Sequence, residues 1–124
     1  MGYLLNIHEG PTNFRWAYRK NDTHQFEPGI VITDEPGIYI EGSHGVRLEN
    51  ELLVKEWKKN EYGEFLCFET ITYVPMDLDG IKADMMSEEE KRLLNDYHAL
   101  VYEKIAPHLN KEEREWLKKY TRAI

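Results

Sequence analysis

From Gly29 onward the sequence breaks into short apolar runs, GIVIT, IYI, VRL and ELLVKEW, each bounded by Gly, Pro, Asn or charged residues. Runs of this kind, rich in Ile, Val and Tyr and fenced by turn formers, read as β-strands, and the simplest arrangement of them is an antiparallel meander. Within it the stretch Thr33 to Asn50, TDEPGIYIEGSHGVRLEN, carries two acidic residues, Glu35 and Glu49. Pro36 and Gly37 follow Glu35 at once, a pair that breaks regular structure and holds the preceding carboxylate at a strand end. EGSHG joins IYI to VRL as a tight loop, a topology that can bring the two glutamates together. If Val46 to Glu49 is extended, Arg47 and Glu49 share one face. Arg47 then either flanks a functional carboxylate or forms an ordinary surface ion pair with it.

The rest of the chain supports this stretch. The opening MGYLLNIHEGP is an apolar segment ending in a polar turn and reads like a chain entered midway. In it Leu4 and Asn6 alternate onto the same face as His8, so a strand end could present that imidazole to a cleft, or His8 is a hydrogen-bonded surface residue. Pro11 to Pro28 is polar, dotted with aromatics and without period, and reads as a long loop. KKNEYGE has the composition of a hairpin loop, FLCFETITYVP gives one or two further strands ended by Pro75, and MDLDGIKADMM is a linker. The last third is helical. Ser87 with Glu90 forms a capping-box signature, followed by Leu93, Leu94, Tyr97, Leu100, Val101 and Ile105 at three-to-four spacing. Pro107 ends that helix, and Asn110 with Glu113 repeats the signature before Trp116, Leu117 and Tyr120. The fold class is therefore α+β, divided into residues 1–75 and a helical segment 76–124.

Composition narrows the function. Asp and Glu total 23 against 16 Lys and Arg, a net charge of -7, which argues against a nucleic-acid partner because a phosphate backbone would be repelled. No apolar run approaches the roughly 20 residues that span a bilayer, so no membrane partner is expected. The N-terminus lacks a basic segment followed by an apolar stretch, which points to the cytoplasm. Cys67, the one cysteine, reads as a small buried hydrophobe in FLCF rather than a nucleophile. His98 reads as structural, since no second metal-binding residue stands four positions away on its face.

The ordered motifs NIHEGP, TDEPGIY and GVRLEN resemble the C-terminal half of the pita-bread metallopeptidases, and FETITYVPMDL with the helical tail is similar to the C-terminal extension of the aminopeptidase P group. The resemblance covers nearly the whole chain, from Tyr3 to Ile124. It implies a partial pita-bread fold with an added helical extension. It also implies a dinuclear-metal Xaa-Pro aminopeptidase, which hydrolyses the N-terminal peptide bond preceding proline in peptides with proline at the second position. On this resemblance Glu35, in TxEPGxY, would ligate one metal and shuttle a proton. Glu49, in RxEN, would bridge both metals, His8 would bind substrate and support the tetrahedral intermediate, and Arg47 would orient the carboxylates. Carboxylates and imidazole suit two divalent ions such as manganese.

The implied ligand set is two aspartates, a histidine and two glutamates, of which the two glutamates are present. The other three would precede residue 1, and His44 stands at a loop position the family does not use. The expectation is a C-terminal portion of such an enzyme, inactive by itself, not binding the two metal ions fully on its own, and prone to homo-oligomerise over exposed strand surface. The rival reading is a non-catalytic oligomerisation or interaction module in which the glutamates are relics.

Overall fold

A computed structural model describes residues 10, 12, 15–17, 19, 20 and 24–124. Contacts between Cα atoms divide the chain into two units, Met1–Thr72 and Tyr73–Ile124. His8 lies outside the described residues, and those described between Pro11 and Pro28 carry no helix or strand.

Among the described residues, five strands build the first unit: β1 (Val31–Asp34), β2 (Gly37–Ile40), β3 (His44–Arg47), β4 (Asn50–Asn60) and β5 (Gly63–Thr70). All pair antiparallel, as expected, but the first four strands do not form the simple meander read from the sequence: β1 skips to β4 in a three-stranded sheet of order β1-β4-β5, and β2 and β3 form a two-stranded ribbon that continues the β1–β4 ladder. One register runs through both. The pairing of β1 with β4 ends at Asp34 opposite Asn50, and that of β2 with β3 begins at Gly37 opposite Arg47. Two residues intervene on each side, Glu35 and Pro36 against Leu48 and Glu49, so the ladder resumes without a slip. Pro36 accounts for the break, because it has no N–H to give the ladder. Its carbonyl still accepts from the Leu48 N–H at 3.3 Å, which keeps the two arms aligned across the gap.

At the far end the chain turns through Glu41, Gly42 and Ser43, with the Ser43 N–H donating to the Ile40 carbonyl at 3.0 Å. Gly42 has φ +69°, a left-handed conformation that a glycine adopts without strain. The β4–β5 hairpin is longer than its composition predicts. Its strands continue through the lysine-rich KKN to a turn at Glu61 and Tyr62, because Lys59 pairs with Glu64 and Lys55 with Glu69, the latter at 2.6 Å, across the strands. The register shifts between Glu56 and Lys58, which leaves Trp57 as the extra residue of a β-bulge. Among the described residues of this unit, Val54 and Ile32 are the buried apolar side chains, and Phe26 stands edge-on to Phe68. Cys67 is half-buried and free.

In the second unit, two 3-10 turns, Leu78–Gly80 and Ala83–Met85, lie in the linker-like segment. Helices α1 (Glu88–Ile105) and α2 (Lys111–Tyr120) follow, each opened by the capping box read from sequence. Ser87 and Asn110 satisfy the Glu90 and Glu113 N–H groups, and those glutamates bond back to the cap N–H groups at 2.8 Å. Val101, Ala106 and Leu117 form the core, with Tyr73, Tyr97, Tyr102, Ile105 and Leu109 against it. Leu93, at the start of the predicted stripe, is exposed.

Two adjacent residues of α1 hold the segment leading into it. The Tyr97 hydroxyl donates to the Val74 carbonyl at 2.7 Å, and His98 Nε2 accepts from the Met76 N–H at 3.0 Å. An accepting Nε2 puts the ring proton of the neutral imidazole on Nδ1. His98 is fully buried. Burial pushes its pKa below the ordinary histidine range; the Arg122 backbone offsets this only in part, and the Arg122 charge adds to it. Because the folded pKa is lower than the unfolded one, this contribution to stability is complete above about pH 6.5 and is lost as pH falls below it. Denaturant titrations followed by helical circular dichroism should show stability falling by up to about 1.4 kcal/mol per pH unit through this window. In His98→Phe that slope should disappear.

Candidate functional site

The register places the acidic pair. Asp34 and Asn50 close one arm of the ladder, so the next residue outward on each strand, Glu35 and Glu49, faces the other across the break. Side chains alternate with period two, so Thr33, Glu35, Gly37 and Tyr39 share one face with Gly45, Arg47, Glu49 and Glu51. Next to Glu49 the backbone is pinned: the Thr72 hydroxyl donates to Asn50 Oδ1 at 2.9 Å and accepts from the Glu51 N–H at 3.1 Å. The Ile71 N–H adds a bond to the Glu51 carbonyl at 3.0 Å.

Arg47 stands between the two carboxylates, its Nε 3.4 Å from Glu49 Oε2 and 4.0 Å from Glu35 Oε2. One of its terminal nitrogens donates to the Tyr39 hydroxyl at 3.4 Å. That hydroxyl, then Glu49 and Glu35, hold the guanidinium above its ordinary pKa. The Arg47 side chain is 50% exposed and the glutamates are 30% and 37% exposed. Ion pairs this open to water are screened by solvent, so the arrangement adds little to stability and its consequence is orientation.

Thr33 and Tyr39, the first and last residues of the TxEPGxY pattern, are members of this face to which the sequence reading gives no role. The Thr33 hydroxyl donates to Glu35 Oε1 at 2.7 Å. Tyr39 lies over two glycines: a Cβ on Gly45 would stand 2.7 Å from its ring and one on Gly37 2.7 Å from its hydroxyl. Bare backbone on both strands lets the ring lean along the ribbon and bring its hydroxyl to Arg47. The period-two alternation already visible for Arg47 and Glu49 extends to both residues, and was the signal that could have found them.

His44 is the first residue of β3, opposite Ile40, rather than a loop residue. Strand pairing extends that far because the turn needs only Glu41 to Ser43. Its parity sets it on the other face from Glu35 and Glu49, where Nδ1 is 2.8 Å from the Ser43 hydroxyl. Among the described residues no group of three or more His, Cys, Asp or Glu side chains converges as a metal site. Glu35 and Glu49 bring carboxylate oxygens together on one face, a donor set that suits a hard divalent cation.

Comparison with known proteins assigns both parts of the chain. Residues 1–56 match the model of metallopeptidase family M24, and residues 64–124 match that of the C-terminal region of peptidase M24. A probable Xaa-Pro aminopeptidase P of Coprinopsis cinerea is 39% identical over the whole chain, and one of Ajellomyces capsulatus is 37% identical. This chain covers 21% of each, so it spans about a fifth of the length of these curated relatives. Among solved structures, an X-prolyl aminopeptidase from Caenorhabditis elegans, described as a cytosolic enzyme with a di-nuclear active site, superimposes with a TM-score of 0.69 at 31% identity. That match covers 80% of this chain and 17% of the other.

The glycine bed under Tyr39 makes a specific prediction. Nuclear Overhauser contacts should link the Tyr39 ring to the Gly37 and Gly45 α-protons, and Gly45→Ala should abolish them by driving the exposed ring off the ribbon. The cost in unfolding free energy should stay within about 1 kcal/mol, because the ring is free to swing into water.

Proposed function

The chain belongs to metallopeptidase family M24, and we propose that it forms the part of an Xaa-Pro aminopeptidase that supplies the two glutamate ligands of a dinuclear centre. The observation that carries this reading is the facing of Glu35 and Glu49 across the ladder break, with Arg47 Nε within 4.0 Å of both. A pair of divalent ions, when bound, supplies Lewis acidity and a water of lowered pKa for amide hydrolysis. Manganese suits the carboxylate donors.

The protein's own residues do the rest. Glu35 would hold a metal through its carboxylate and could take up and return a proton. Glu49 would hold metal through its carboxylate oxygens as the second ligand this chain supplies. Arg47 keeps the two carboxylates oriented between catalytic cycles and screens their mutual repulsion. His8, which lies outside the described residues, would on the family resemblance donate a hydrogen bond to the carbonyl oxygen as negative charge develops on it. The bond preceding proline is a tertiary amide with no N–H, so the substrate peptide is recognised by ring shape at that position.

The cytosolic description of the Caenorhabditis elegans enzyme supports a cytoplasmic setting. No helix among the described residues is long and apolar enough to cross a membrane. Self-association is supported by the second face of the ribbon, where Ile38, Ile40 and Val46 are exposed.

Two measurements test this reading. The 124-residue polypeptide, carrying two of the implied ligands, should release no N-terminal residue from a Gly-Pro or Arg-Pro peptide in the presence of Mn²⁺; turnover proportional to protein would overturn the assignment of ligands. Sedimentation across micromolar concentrations should show mass increasing with concentration, and a monomer throughout would count against association through the ribbon.

A further inference from the structure

We propose that Thr33 is a positioning residue for the metal ligand Glu35, dividing the work of its two oxygens. The inference rests on the metal role just assigned to Glu35 and goes beyond it by naming the group that orients the ligand. The Thr33 hydroxyl donates to Oε1 at 2.7 Å, while Oε2 faces Arg47 at 4.0 Å. Each oxygen therefore has a donor of different strength and on a different side.

Several features make Thr33 suited to this. It lies within β1, opposite Glu51 in the ladder, so its backbone is fixed by strand pairing, whereas Glu35 lies just beyond the last pair. A β-branched side chain has few χ1 options, so the hydroxyl direction follows from the strand. Residues two apart on a strand share a face, so a short side chain reaches the carboxylate two residues on. A glutamate has three rotatable side-chain bonds, and at the open end of a ladder 30% of this one is solvent-exposed. Arg47 alone is a weak constraint at 4.0 Å. The charge-assisted hydroxyl bond is the shorter and stronger restraint. It leaves a lone pair on Oε1 as well as Oε2 for a cation, because a carboxylate oxygen accepts more than one partner. Partners of this kind, bonded to a ligating carboxylate, change metal affinity without touching the metal.

The test uses Mn²⁺ on the full 124-residue chain, followed by paramagnetic broadening of the Glu35 and Glu49 side-chain carboxyl signals, with thermal unfolding as a control. In the wild type both signals should broaden together as Mn²⁺ is added. Thr33→Val keeps shape and removes the donor; its apparent Mn²⁺ affinity should fall on the order of tenfold, and Thr33→Ser should restore it. Unchanged affinity in Thr33→Val, with broadening intact at both glutamates, overturns the role of Thr33 and leaves the metal assignment standing. Mn²⁺ raised until exposed carboxylates elsewhere broaden, with no earlier broadening at Glu35 and Glu49 in the wild type, overturns the metal reading and this inference with it. A second measurement is independent of how well Thr33→Val folds. The wild-type Thr33 hydroxyl proton should exchange slowly with water and lose that protection in Glu35→Ala. Exchange at the free rate in the wild type would refute the hydrogen bond itself.

Discussion

Much of the first unit depends on a missing hydrogen-bond donor. Pro36 interrupts an antiparallel ladder whose register is otherwise continuous from Val31 opposite Leu53 to Ile40 opposite His44. A proline within a regular ladder costs stability, and here the cost falls where two carboxylates face each other. An uninterrupted ladder would hold both glutamates at ordinary strand positions, fully constrained by the backbone. The break gives their side chains room to converge, and the bond from the Leu48 N–H to the Pro36 carbonyl limits how far the arms separate.

Around that break, weak contacts act together as orientation rather than as stability. Arg47 touches both glutamates, Tyr39 steadies Arg47, and two glycines clear the space that Tyr39 occupies. Each contact is partly exposed and individually worth little. The rigid components lie beneath them: the Asn50–Thr72 bond, the paired β1 and β4, and the buried Val54. Exposed carboxylates on a fixed strand framework stay open to solvent while the strands beneath them hold their orientation.

The helical unit is organised by different physics. Its helices start where side chains satisfy the otherwise unpaired N–H groups, at Ser87 and Asn110, and it encloses a small apolar core around Val101 and Leu117. His98, buried in the same unit, accepts from the Met76 N–H, which is why its protonation and the stability of the unit are linked.

Sequence alone determined the features that are local. Strand-forming runs, the capping boxes and the motif residues Glu35, Arg47 and Glu49 were legible because each depends on neighbours within a few positions. The motifs also carried the family, while the position of His8 falls outside the described residues. Only the tertiary structure decided which strands pair. It matched β1 with β4 and extended β3 to include His44, because register is set by hydrogen bonds between residues distant in the chain. That register is what puts Thr33 and Tyr39 on the face of the two glutamates, since a single-residue shift would have turned every one of those side chains to the other side.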